Sequence, residues 1–157
     1  GEPRETVMKM AKIAKGVSSA ALRFIAIGLA APYLVEYFAP TISTYLQLPP
    51  ADEVWAVLIL LGAFFAVTGY LQNAYSKGDY PWLFGKIGSG LGEAAFFTFA
   101  FLLLPNSASL SGTGVQSEGL LILIYLAVAL SYGYLVLDFF DARRSRPVRQ
   151  VETDKMY

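Results

Sequence analysis

Four stretches of this chain run for about twenty residues with scarcely a charge, the length an α-helix needs to cross the hydrocarbon core of a bilayer. They cover residues 20–38, 54–75, 82–104 and 119–140, and the charged residues inside them are Arg23, Glu36, Lys86, Glu93 and Asp138. Only 15% of the chain is charged, against about a quarter in an ordinary soluble domain. Apart from two short tails, nothing remains to build a soluble domain. The expected fold is therefore all-α: one integral membrane domain, a four-transmembrane-helix bundle over residues 20–140. A basic amphipathic segment, residues 1–19, is expected to lie as a short helix at the cytoplasmic surface, and residues 141–157 form a basic cytoplasmic tail.

Orientation follows from the lysines and arginines, which favour the cytoplasmic side of short loops. Arg4, Lys9, Lys12, Lys15 and Arg23 precede or open the first stretch. Lys77 and Lys86 flank the connection between the second and third, and Arg143, Arg144, Arg146, Arg149 and Lys155 follow the fourth. The loops at 39–53 and 105–118 contain neither residue type. Both termini are thus expected in the cytoplasm of a cell membrane, with both of these loops outside. The basic residues ahead of the first apolar run do not read as a cleaved signal peptide.

Local signals agree with this plan. Asp79 is placed to cap the third helix, with Pro81 in its first turn, where a missing N–H does no harm. Pro105 stops that helix, while Pro40 and the Pro49–Pro50 pair bracket the first outer loop. Tyr37, Tyr45 and Trp55 suit one aromatic belt, and Tyr75, Tyr80 and Trp82 the other. Pro32 falls inside the first span, where it should kink the helix and free a carbonyl near residue 28. In the N-terminal segment Val7, Met10, Ala14 and Val17 share one face, and Lys9 and Lys12 point elsewhere. Such a segment binds anionic lipid headgroups or docks a cytoplasmic partner.

The two halves run in the same direction. Sliding one along the other places Gly28, Ala30 and Ala31 on Gly92, Ala94 and Ala95, and Gly69-Tyr70-Leu71 on Gly133-Tyr134-Leu135. Parallel repeats of this kind occur in transporters, but most of the aligned positions differ. In the third span Gly88 and Gly92 are spaced as a small-xxx-small pair, and Gly85 with Ser89 offers a second face for close helix packing.

Ionisable side chains at membrane depth are the first place to look for function, because each is costly there. Glu93 lies about 16 Å along the helix from Trp82, or about 10 Å from Lys86. Asp138 stands near the cytoplasmic end of the fourth span, in line with Tyr134 and Ser131. Gln72 and Asn73 end the second span at a similar depth, so these residues, with Lys86 and Arg23, form a candidate intramembrane polar site. Pairing of Asp138 with Lys86 or Arg23 is its structural interpretation; a proton or cation pathway through Glu93 and Asp138 is its functional one. Arg23 can snorkel to phosphates, and Glu36 is expected to reach water at the outer end of the first span.

Several chemistries are excluded. With no cysteine and no histidine, the chain has no disulfide, no thiol nucleophile, no Cys/His zinc site and no histidine-ligated haem. Zero net charge gives no attraction to nucleic acid. The glycine run lacks a phosphate-loop pattern, and no potassium-filter, metalloprotease or nucleophile-elbow motif occurs. The 11 phenylalanines and 10 tyrosines read as packing rather than a pigment or quinone pocket. No cofactor and no metal is expected. The leading expectation is a non-catalytic oligomeric or accessory subunit of a membrane assembly, partnered by the bilayer, by further copies of itself or by other membrane subunits. A small homo-oligomeric channel or ion-coupled carrier is the alternative, and a lipid-acting enzyme the third reading.

Overall fold

In a computed structural model the described residues are 2–44, 48–102 and 117–145, and all their regular structure is helical. Helix α1 (Glu2–Arg23) continues through a seven-residue π-helical turn, Phe24–Ala30, into α2 (Ala31–Ile42). Then come α3 (Ala51–Ala74), α4 (Tyr80–Leu102) and α5 (Ser117–Arg144). Three helical stretches are long and apolar enough to cross a membrane: Pro3–Ile42, Ala51–Ala74 and Gly119–Arg144. Helix α4, described as far as Leu102, is not among them.

The N-terminal segment is not set apart from the first apolar stretch. Arg23, Ala30 and Ala31 all keep right-handed helical angles, so one continuous rod covers Pro3–Ile42. The π-helical turn has a local cause. Pro32 lacks an N–H, so the ordinary four-residue ladder fails just ahead of it. The chain widens its pitch instead, and the Ala31 N–H reaches back five residues to the Ala26 carbonyl. Pro32 itself is buried in the first turn of α2.

The rod, α3, α4 and α5 each pack antiparallel on the next in sequence. The rod and α3 meet at Gly16 with Ala74, at Gly28 with Gly62, and at Glu36 with Trp55, whose indole donates to the carboxylate at 2.8 Å. The Gly28–Gly62 crossing is the tightest: a Cβ on Gly62 would stand 2.7 Å from the Gly28 Cα. Glu36, expected in water, thus takes the indole as partner. The α3–α4 contact runs from Gln72 beside Gly85 to Phe65 beside Gly92. Between α4 and α5, the Tyr80 and Phe139 rings lie 5.5 Å apart, and Tyr132 donates to the Ile87 carbonyl at 2.6 Å. The buried apolar core follows this order, with Val54, Leu58 and Phe65 on α3 and Phe139 on α5.

A short turn, residues 75–79, joins α3 to α4. The Asp79 carboxylate accepts the Ser76 N–H at 3.1 Å, and its carbonyl accepts the Leu83 N–H, with Pro81 in the first turn. Gly78 supplies the positive φ of 95° that the turn requires. Tyr45, most of the second loop with Pro105, and the tail carrying Arg146, Arg149 and Lys155 lie outside the described residues.

Candidate functional site

Helix α4 presents its small residues to α3 along one strip. A Cβ on Gly85 would meet the Gln72 N, the Leu71 Cβ and the Thr68 carbonyl at 2.9 Å, while Gly88 and Gly92 sit against Thr68, Phe64 and Phe65. Ser89, between them, is buried. The two faces read from the sequence are therefore a single interface inside the chain. Gly90 turns the other way, onto the Tyr132 ring.

This close approach brings polar side chains together. Ser89 takes a hydrogen bond from the Arg23 guanidinium at 3.0 Å, another from the Gln72 amide, and donates to the Thr68 hydroxyl at 3.3 Å. The Gln72 amide also donates to the Gly85 carbonyl at 2.9 Å. Asn73 faces α1 instead, donating to the Ser19 hydroxyl at 3.0 Å and to the Gly69 carbonyl at 2.8 Å. At the end of α3 the Lys12 ammonium donates to the Ser76 hydroxyl at 2.7 Å.

Above this network lies a groove walled by α1 and α5. A cleft of about 340 Å³ is lined by Arg23, Gln72, Lys86, Ser89, Glu93, Ser131, Tyr132 and Leu135. A second, of about 460 Å³, shares Arg23 and Glu93 and continues over Ile27, Phe65, Phe96 and Phe97. The first is polar, and the second is apolar but for the two shared residues. Glu93 is exposed and, among the described residues, has neither ion pair nor hydrogen bond. Lys86 is exposed with its ammonium 5.8 Å from the Trp82 ring centre.

Asp138 and Tyr134 are not among the residues that line the groove. Asp138 pairs with Lys77 at 2.6 Å, rather than with Lys86 or Arg23. The longer reach from the α3–α4 turn wins because α5 passes that turn as it leaves the bundle, with Arg143 4.4 Å from the Tyr80 ring. Tyr134 points away from α4 and is 74% exposed. Ser131 borders the cleft and donates to the Val128 carbonyl at 2.8 Å. Glu93 and Asp138 thus face different surroundings.

Two residues that sequence reasoning passed over take their place, Thr68 and Tyr132. Thr68 was legible, since four residues separate it from Gln72 and put both on one helix face. Tyr132 was not, because nothing in α5 distinguishes its phase from that of Tyr134. Among the described residues no three carboxylates gather as metal ligands would. No family model, curated protein or solved structure matches the chain, so a functional reading rests on its own residues.

Proposed function

We propose that the chain is a four-span membrane protein, α4 being the additional span, that works as a non-catalytic, oligomeric or accessory subunit of a larger membrane assembly. Both termini are on the cytoplasmic side, with the lysines of α1 among the headgroups of anionic lipids. The Lys/Arg-free loops and the capped turn between α3 and α4 support four crossings, because only an α4 that crosses puts every basic residue on one side.

The subunit reading is carried by the outer face of α5. Gly119, Leu123, Leu126, Leu130, Gly133, Leu137 and Phe140 recur at alternating spacings of four and three, the seam of a left-handed helix pair. These residues are exposed, and Gly119 and Gly133 have nothing within 4 Å. Every other glycine of the helices whose surroundings are described meets a neighbour. A notched leucine seam of this kind fits a second helix of the same period better than it fits disordered acyl chains.

The test uses the absence of native cysteine. A Leu130→Cys variant oxidised in native membranes should form a disulfide-linked pair, and Leu60→Cys, on an exposed face of α3, should not. Native mass spectrometry then reads the gently extracted particle. Multiples of the 17.1 kDa chain establish an oligomer, and a stoichiometric complex with another protein establishes an accessory subunit. A particle of one chain, with no crosslink at Leu130, would sink the reading.

A further inference from the structure

We propose that the groove between α1, α4 and α5 binds a single-chain phosphate amphiphile of the inner leaflet, its phosphate between Arg23 and Lys86 and its chain in the Phe96–Phe97 cleft. The proposal rests on α4 crossing the bilayer as proposed above, and not on the α5 seam, which lies on the other side of that helix.

The order of residues along the groove matches the order of groups in such a molecule. Lys86 and Arg23 come first, near the cytoplasmic end. Both line the polar cleft, and among the described residues neither is in an ion pair. A phosphate in this cleft would accept charge-assisted hydrogen bonds from both cations. The Arg23 guanidinium is already oriented by Ser89, itself fixed by Gln72 and Thr68. A donor fork held by buried hydroxyls is a prepared anion site rather than a loose surface arginine.

Glu93 comes next, about 10 Å deeper than Lys86 by helical rise. Its exposed carboxylate lines both clefts. A carboxylate at this depth needs a hydrogen-bond donor. In a monoacyl glycerophospholipid the free glycerol hydroxyl sits between phosphate and chain, where Glu93 stands. A diacyl lipid has esters there, with no hydrogen to give, and a second chain to place. Beyond Glu93 the groove turns apolar over Ile27, Phe65, Phe96 and Phe97. Both volumes fall within the usual range for small-ligand sites, about 300–1,000 Å³.

The experiment is native mass spectrometry of the full chain released from nanodiscs, titrated with lysophosphatidylglycerol, diacyl phosphatidylglycerol, lysophosphatidylcholine or inorganic phosphate. Lysophosphatidylglycerol should form a one-to-one adduct. Lys86→Gln should weaken it by about tenfold or more through loss of a charge-assisted contact. Ile27→Trp, which fills the apolar cleft and leaves every charge in place, should weaken it comparably. Glu93→Gln should reduce the preference for the monoacyl over the diacyl lipid.

Retained binding in both Lys86→Gln and Ile27→Trp would overturn the proposal. So would inorganic phosphate competing as well as the lipid, with Ile27→Trp silent, since that describes a free anion site. A diacyl preference in wild type would overturn the role given to Glu93. The detergent denaturation midpoint, measured on the same variants, reports whether the fold survives. Because lipid and protein add different masses, loss of the oligomer and loss of the lipid are read separately.

Discussion

Helices α3 and α5 are equally convincing as membrane spans and behave in opposite ways. A third of the most apolar window of α3 is buried, and none of that of α5, although α5 is the more apolar. Helix α3 is gripped on two sides, by the rod on one and α4 on the other, whereas among the described residues α5 packs on α4 and on the α3–α4 turn through Asp138 and Lys77. Apolarity places a helix in lipid but does not draw it to another helix there, since acyl chains are as apolar as leucine. The distinction lies in the small and polar residues. Gly62, Gly69, Thr68 and Gln72 let α3 approach its neighbours and bond to them. In α5, Tyr125 and Tyr132 hydrogen-bond across to α4 at Thr98 and the Ile87 carbonyl, and Phe139 and Arg143 lie against the Tyr80 ring.

The contrast can be broken most forcefully at the glycines. Gly62→Val drives a side chain into the Gly28 backbone, which has no rotamer to yield. The expected cost is about 3 kcal/mol, the upper end of what overpacking usually costs, read as a lower detergent denaturation midpoint. Gly133→Val, in open space, should leave the fold within about 0.5 kcal/mol and weaken the Leu130 crosslink instead. Equal effects at the two glycines would erase the distinction between α3 and α5.

Polar contacts give smaller effects. Gln72→Leu keeps the side chain's bulk and removes its bonds to Ser89 and the Gly85 carbonyl. A loss of about 1 kcal/mol is expected, within the measured range for interhelical hydrogen bonds in membranes. Tyr132→Phe deletes one bond to α4 and should cost about 0.6 kcal/mol, whereas Tyr134→Phe, on the exposed face, should change nothing measurable. A small change is also expected from Asp138→Asn. Its pair with Lys77 is partly exposed, so the loss should be roughly 0.5 kcal/mol or less, and should vanish at high salt.

The same contrast explains what could be read in the sequence. The second apolar stretch, 54–75, appears as Ala51–Ala74, and the third begins at the Asp79–Pro81 turn. Length and charge set these limits, and both are visible in one dimension. The fourth extends past residue 140 to Arg144, because a helix leaving the membrane need not stop at its edge. Helical phase was harder to read. When nearly every side of a helix is apolar, no amphipathic stripe shows which face meets a neighbour. Tyr134 and Tyr132 therefore looked alike, and the partner of Asp138 fell to Lys77 rather than Lys86 or Arg23. Glu93 and the glycine strip of α4 were legible because each breaks the apolar pattern where a break is costly.

The rod from Pro3 to Ile42 makes membrane thickness a mechanical quantity for this chain. At about 1.5 Å per residue it is roughly twice as long as the hydrocarbon core is thick, about 30 Å. Its partner α3 ends at Ala74, and contact beyond that point is made by Lys12 with Ser76. The residues ahead of Lys12 therefore extend the rod past the end of α3. Toward its other end the rod is tied to α3 at Glu36 and Trp55, and the π-helical turn between the two ties packs on Gly62 through Gly28. On the four-span reading proposed above, a change in bilayer thickness changes the tilt of this rod, and its length turns a small tilt into a larger displacement of Lys9 and Arg4.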